Sequence, residues 1–202
     1  MAKTLHVVSI LDRSGSMWNA ATEVIGAYNS FIEDQKKLAK DKNLKIKTSL
    51  ILFDDKYEEV YSKVPVEQTP KLDETVYNTR GMTALYDAIG KTVSSFDDKK
   101  NVLMFIETDG HENASNEYSG DALKELVKKK TKAGWDFNFV GADLDAVTTQ
   151  SISGSIGISA SNSTSFAKTA SGYATRNATF MSSTMNYVDK NMKPKEKSKA
   201  NE

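Results

Sequence analysis

Short apolar runs alternate along the chain with longer amphipathic stretches, which is the pattern of an α/β fold. Leu5 to Leu11 is rich in branched residues and is interrupted by His6 and Ser9, so it predicts a buried strand with His6 as a structural residue within it. From Trp18 to Lys40 the apolar positions Val24, Ala27, Tyr28, Phe31, Ile32, Leu38 and Ala39 recur close to helical spacing. Glu23, Asp34, Lys36, Lys37 and Lys40 form the opposite face. Lys45 to Phe53 alternates and then becomes wholly apolar, which predicts a second strand. Tyr57 to Val64 predicts a third. The tight Asp54-Asp55 turn before it suits an antiparallel hairpin better than a crossover, so this strand belongs at a sheet edge.

Residues 65–80 hold Pro65 and Pro70 and predict a long loop. Thr83 then stands where it can cap a helix with the apolar face Leu85, Ala88, Ile89, Val93 and Phe96. Val102 to Ile106 is the clearest buried strand. Asp121 to Lys132 is amphipathic, with Gly134 placed to end the helix, and Trp135 to Val140 predicts a fifth strand. Twelve of the twenty-five residues 147–171 are Ser or Thr, which reads as a linker except at Ile156-Gly157-Ile158, where a short sixth strand is expected. Phe166, Ala170, Tyr173, Ala174, Phe180, Met181 and Met185 predict a last helix. From Lys190 the chain turns Lys-rich and apolar-poor, so one domain over 1–189 and a disordered tail over 190–202 are expected.

Composition narrows the function. The chain has 202 residues, with 27 Lys+Arg against 27 Asp+Glu. A zero net charge removes the cationic surplus that general nucleic-acid binding needs, and nucleic acid is not an expected partner. The tail carries +3 and residues 1–189 carry −3, so the negative charge lies in the folded part. With no cysteine, disulfides, thiol catalysis and thiolate zinc sites are excluded. No apolar run is long enough for a membrane span or a leader, and a cytoplasmic setting without a membrane partner is expected.

The candidate chemistry lies just past the carboxyl ends of expected strands. Asp12-Arg13-Ser14-Gly15-Ser16 follows the first strand, Gly81-Met82-Thr83 follows the loop, and Glu107-Thr108-Asp109-Gly110 follows the clearest strand. In an open parallel sheet, such loops line the ligand crevice where strand order reverses. Two carboxylates and several hydroxyls form an all-oxygen set, which suits a hard divalent cation. Mg²⁺ fits better than Ca²⁺, because Ca²⁺ sites gather six to eight oxygens and Mg²⁺ retains waters. Asp12-x-Ser14-x-Ser16 alone also reads as a strand-to-helix turn capped by Ser16 or Asn19. Asp54-Asp55 and Glu112 read first as turn residues and second as an outer acidic rim. Met17 and Trp18 either flank a partner's carboxylate or pack beneath the first helix.

Asp12-x-Ser14-x-Ser16 with the later Thr83 and Asp109 resembles the metal-ion-dependent adhesion site of von Willebrand factor A domains, over about residues 4–189. Leu11-Asp-Arg-Ser-Gly-Ser-Met17, Ile25-Gly-Ala-Tyr-Asn-Ser-Phe-Ile32, Arg80-Gly-Met-Thr-Ala-Leu-Tyr-Asp-Ala-Ile89 and Asp109-Gly-His-Glu-Asn-Ala-Ser115 are similar to the small one-domain members of bacteria and their phages. The resemblance implies a doubly wound, mostly parallel six-stranded sheet of Rossmann-like type. Helices cover both faces, the order is 3-2-1-4-5-6, and the third strand is an antiparallel edge. It implies metal ligation by the Ser14 and Ser16 hydroxyls, by Thr83 directly when the site is open and through water when it is closed, and by Asp12 and Asp109 directly or through water. Mg²⁺ is the expected metal, with Mn²⁺ or Ca²⁺ as substitutes, and an Asp or Glu of a partner protein completes the coordination. The stretch 17–21 has no aspartate, so a single metal is expected. His111 stands where the one-domain relatives carry an acidic residue, and reads as a loop residue or a titratable rim group.

Enzyme motifs are missing: there is no Gly-x-x-x-x-Gly-Lys loop, no Gly-x-Ser-x-Gly elbow and no cysteine nucleophile. A non-enzymatic binding module is therefore expected. A phosphoester-processing enzyme on the same cluster and a scaffold with a structural metal are the alternatives.

Overall fold

The computed structural model of the chain describes residues 3–96 and 99–192. Nine residues, Thr4–Asp12, form β1, and every one after Thr4 is buried. Parallel neighbours flank it, β2 (Lys45–Phe53) on one side and β4 (Val102–Thr108) on the other. Beyond β2 lies β3 (Tyr57–Pro65), paired antiparallel, and beyond β4 come β5 (Asp136–Ala142) and β6 (Ser163–Phe166). The sheet order is β3-β2-β1-β4-β5-β6, with the antiparallel hairpin at the edge as the short Asp54-Asp55 turn requires.

Five helices cover the two faces: α1 (Ala21–Asp41), α2 (Leu85–Ser95), α3 (Gly120–Lys132), α4 (Ala146–Ser155) and α5 (Ala170–Asn191). Strand alternation divides the core. Leu5, Val7, Leu11, Leu50, Leu52, Leu103 and Phe105 face α1 and α5, where Phe31 and Phe180 meet the Phe105 ring. Val8, Ile10, Ile51, Phe53, Met104 and Ile106 face α2, α3 and α4, together with Leu85, Ile89, Leu123 and Ile152. Each large side chain buried this way contributes about 1.5–3 kcal/mol, so sheet and helices are held mainly by these two apolar layers.

Four local expectations change. A 3-10 turn spans Gly15–Ala20, so the helix expected from Trp18 begins at Ala21. The N-cap position of α2 is Ala84, and the first-turn N–H groups that Thr83 would cap are taken by other side chains, Tyr86 N–H by Glu112 Oε2 at 2.9 Å and Asp87 N–H by Ser115 Oγ at 3.0 Å. Ile156-Gly157-Ile158 is not a strand but the end of α4. The Gly157 N–H donates to the Gly154 carbonyl, the Ile158 N–H donates to the Ser153 carbonyl, and Gly157 has φ +85°. This is a Schellman ending, in which glycine supplies the left-handed residue and the next apolar residue folds back onto the helix. Ile156 and Ile158 are apolar because they are buried against the α4 side of the core. The sixth strand is instead Ser163–Phe166, and α4 occupies the first part of the Ser/Thr-rich stretch. That helix is capped by Asp145, whose carboxylate accepts from the Thr148 N–H at 2.8 Å. The last helix runs to Asn191, so Lys190 and Asn191, assigned to the tail by composition, are helical. The remainder of the expected tail, 193–202, lies outside the described residues.

Candidate metal centre

β1 and β4 end side by side where the chain reverses its winding direction, so their terminal side chains are brought together by sheet pairing alone. Asp12 is the last residue of β1 and Thr108 the last of β4, and the Thr108 hydroxyl donates to Asp12 Oδ2 at 2.5 Å. The other oxygen, Oδ1, accepts from the Ser14 N–H at 2.7 Å, which folds the first loop back over the strand end. Ser14 and Ser16 hydroxyls lie 3.2 Å apart, and Ser16 Oγ donates to Asp109 Oδ1 at 2.7 Å. Asp12, Ser14, Ser16 and Asp109 thus form one continuous hydrogen-bonded cluster.

Thr83 arrives on a separate loop, and backbone bonds hold that loop against the first. Arg80 N–H donates to the Arg13 carbonyl at 2.9 Å and Gly15 N–H to the Gly81 carbonyl at 3.2 Å, while Ala84 N–H donates to the Asp54 carbonyl of the β2–β3 turn at 2.8 Å. Gly81 has φ +67°, a left-handed backbone that demands glycine, and a Cβ there would also displace the exposed Asp55 carboxylate, whose Oδ1 would lie 2.0 Å away. Asn113 grips Thr83 from the third loop: Asn113 Oδ1 accepts from the Thr83 N–H at 2.9 Å, and Asn113 N–H donates to the Thr83 carbonyl at 3.0 Å. A Cβ built on Gly110 would stand 3.7 Å from Thr83 Oγ1, which puts the Thr83 hydroxyl beside the Asp109-Gly110 turn. All five oxygen-bearing residues read from the sequence therefore stand on three adjoining loops.

Electrostatics separates Asp12 from its surroundings. Burial pushes its carboxyl up to about 6, against the lowering effect of the Thr108 and Ser14 bonds, and the charge of Asp109 adds to the rise. A carboxylate buried beside another carboxylate is stabilised by a cation between them. Among the described residues, no three of His, Cys, Asp and Glu gather into a metal-binding group. The oxygen set is therefore two carboxylates plus the hydroxyls of Ser14, Ser16 and Thr83, a donor chemistry that fits a hard divalent ion.

Several residues around the site carry no signal that motif reading would use. Arg13, inside the Asp12-to-Ser16 motif, is buried, and its Nε donates to Asp54 Oδ2 at 2.9 Å while Nη2 lies 2.7 Å from Glu58. Arg80 reaches the same Asp54 oxygen at 2.8 Å, and Lys56 N–H donates to Oδ1. Burial alone would raise the Asp54 carboxyl, yet the Arg80 and Lys56 bonds and the charge of Arg13 hold it below the usual range. Asp54 is thus the anchor that ties the first two loops together. Glu107, one residue before Thr108, is buried and forms an ion pair with Arg176 of α5. Lys168, between β6 and α5, extends its ammonium to Asp109 Oδ2 at 2.8 Å.

The remaining rim residues divide cleanly. Met17 is fully buried beneath the loop, whereas Trp18 is 73% exposed, and Met82, next to Thr83, is 57% exposed. Glu112 is a turn residue: its carboxylate accepts from Tyr86 N–H, Ala114 N–H and Ser115 N–H. His111 is exposed, and His6 is buried with its ring edge-on to Phe96.

No known family profile matches the chain, and no curated protein sequence does. Solved structures do match its fold. The vWF domain of the type V pili tip protein Mfa5 from Porphyromonas gingivalis superposes with a TM-score of 0.68 at 10% identity, covering 98% of this chain and 99% of that one. The pilus adhesin SpaC from Lactobacillus rhamnosus GG gives 0.68 at 14% identity, over 94% of this chain and 30% of that one. Proximal thread matrix protein 1 from the mussel byssus, with a zinc-occupied metal-ion-dependent adhesion site motif, gives 0.57 at 13% identity, over 88% of this chain and 44% of that one. This chain spans less than half the length of the byssus and SpaC proteins. Identities this low establish architecture, and the architecture is that of a von Willebrand factor A domain. Among the described residues, no helix is long and apolar enough to cross a membrane.

Proposed function

We propose that this chain, with its von Willebrand factor A fold, is a Mg²⁺-dependent protein-binding module and not an enzyme. Ser14, Ser16 and Thr83 hydroxyls and the Asp12 and Asp109 carboxylates hold one cation, with Mn²⁺ or Ca²⁺ as substitutes. An Asp or Glu side chain of a partner protein completes the coordination. The observation that carries this reading is the buried Asp12 carboxylate, raised to about 6, at the head of an all-oxygen cluster shared by three loops.

When bound, the ion supplies positive charge that attracts a partner carboxylate and fixes its direction. The chain's own residues keep the oxygens in register. Thr108 and the Ser14 N–H orient Asp12, Asn113 orients Thr83, and the Arg13–Asp54–Arg80 ion pairs hold the loops that carry them. Trp18 and Met82 offer exposed apolar shoulders on the two loops that supply Ser16 and Thr83. The preferred partner segment therefore carries an acidic side chain beside an apolar one. A cytoplasmic setting belongs to the same proposal.

The test is affinity capture on the immobilised chain. Partner retained in Mg²⁺ should elute in EDTA, and Asp109→Ala and Thr83→Ala variants with unchanged circular dichroism should retain none. Equal retention in EDTA and in Mg²⁺ would contradict the reading.

A further inference from the structure

Lys168 places a positive charge in the same corner, and both its backbone and its side chain are anchored there. It stands in the short connection between Phe166, the last residue of β6, and Thr169, which caps α5 by accepting from the Gly172 N–H. The Lys168 N–H donates to Asp143 Oδ1 at 2.7 Å, and the Asp143 N–H in turn donates to the Phe166 carbonyl at 2.8 Å. Gly172 packs so closely on this connection that a Cβ there would lie 1.9 Å from the Ala167 carbonyl oxygen. Phe166 and Tyr173 close the other side edge to face. From that anchored backbone the side chain runs inward, only 11% exposed, to an Asp109 side chain that is 2% exposed. Its ammonium also lies 3.3 Å from the Ser16 carbonyl and 3.9 Å from Asp143 Oδ2.

Asp109 therefore divides its two oxygens between the proposed cation site and an ammonium. Oδ1 accepts from Ser16 Oγ within the hydroxyl cluster, while Oδ2 is bound to Lys168. We propose that Lys168 is a tethered competitor that lowers the affinity of the site for divalent cations. The inference rests on the metal reading given under the proposed function. Two positive groups drawing on one buried carboxylate repel each other and share its attraction, so each weakens the binding of the other. The coupling is reciprocal: metal bound at the cluster loosens Lys168 from Asp109 to the same extent that Lys168 weakens the metal.

The experiment titrates Mn²⁺ into the full-length purified chain by calorimetry at fixed pH and ionic strength. It compares wild type, Lys168→Met, Lys168→Gln and Lys168→Arg, with melting temperatures recorded in EDTA and in saturating Mn²⁺. The Met and Gln variants should bind Mn²⁺ about tenfold more tightly, and the Arg variant, which keeps the charge, should stay near wild type. In EDTA the two neutral variants should melt below wild type, because Asp109 loses its counter-ion, and in saturating Mn²⁺ this deficit should disappear. Equal or weaker Mn²⁺ binding by both neutral variants would overturn the inference while leaving the metal reading intact. So would a melting deficit of the same size with and without Mn²⁺, which marks a purely structural lysine. Failure of wild type and all variants to bind Mn²⁺ would overturn both.

Discussion

Two buried aspartates, Asp12 and Asp54, stand at the carboxyl ends of the neighbouring parallel strands β1 and β2, yet their environments are opposite. Asp54, next to the end of β2, is met by Arg13 and Arg80 and by the Lys56 N–H, and its carboxyl is held below the usual range although burial opposes this. Asp12, at the end of β1, is met by the neutral Ser14 N–H and Thr108 hydroxyl, with Asp109 as a like charge nearby, and burial pushes it up to about 6. One carboxylate is a finished ion-pair anchor. The other is organised by hydrogen bonds and still stands to gain from a cation. The difference separates the part of this end of the sheet that holds loops from the part proposed to hold a metal.

The strongest break of that comparison is Asp54→Ala. It leaves Arg13 buried without its main partner, and loss of one member of a buried ion pair costs about 3–5 kcal/mol. Urea denaturation should show this loss equally in EDTA and in Mg²⁺, since the role of Asp54 is structural.

The second prediction concerns pH, where the two carboxylates act with opposite sign. The folded state raises Asp12 from 3.8 to about 6, so it binds that proton more tightly than the unfolded chain does. The stability this contributes is fully present below pH 3.8 and is lost as pH rises through about 6, a change of roughly 3 kcal/mol. Asp54, lowered on folding, contributes stability above the ordinary aspartate range that is lost as pH falls. Urea denaturation in EDTA at pH 5 and pH 7.5 should show wild type losing stability relative to Asp12→Asn across this interval. Saturating Mg²⁺ should remove the difference in slope.

A smaller effect is expected far from the site. Gly157→Ala places a side chain at φ +85°, 3.0 Å from the Lys124 carbonyl oxygen, and should cost about 1 kcal/mol in thermal melts without changing metal affinity. The smallest stability change belongs to Trp18→Ala. Its ring is exposed, so stability should move by no more than about 0.5 kcal/mol, while metal-dependent retention of the partner weakens.

The legible part of the molecule is the part where residue pattern and local structure agree. The run Leu5–Leu11, the apolar end of Lys45–Phe53 and Val102–Ile106 are strands because both sheet faces are covered, and full burial leaves a continuous apolar signature. The hairpin followed from the length of the Asp54-Asp55 turn. The region after β5 was less legible because its apolar residues serve helix ends. Ile156 and Ile158 are buried around a glycine that terminates α4, and this helix is built largely from Ser and Thr on an Asp145 cap. The β6 strand, Ser163–Phe166, carries a single buried residue, Phe166, so no alternation marks it. In the site, the five oxygen-bearing residues were readable because their spacing follows strand ends. Lys168 was not, since it reaches Asp109 from 59 positions away through tertiary packing. Asn113 and Arg13 likewise act through loop-to-loop contacts that spacing does not encode.

The most direct test of the central claim is a calorimetric titration of Mg²⁺ into wild type, Asp12→Asn and Thr83→Ala, with circular dichroism confirming that all three are folded. One Mg²⁺ per chain is predicted for wild type, with binding abolished in both variants. Mg²⁺ binding of the same strength in Asp12→Asn, or none in wild type, would contradict it.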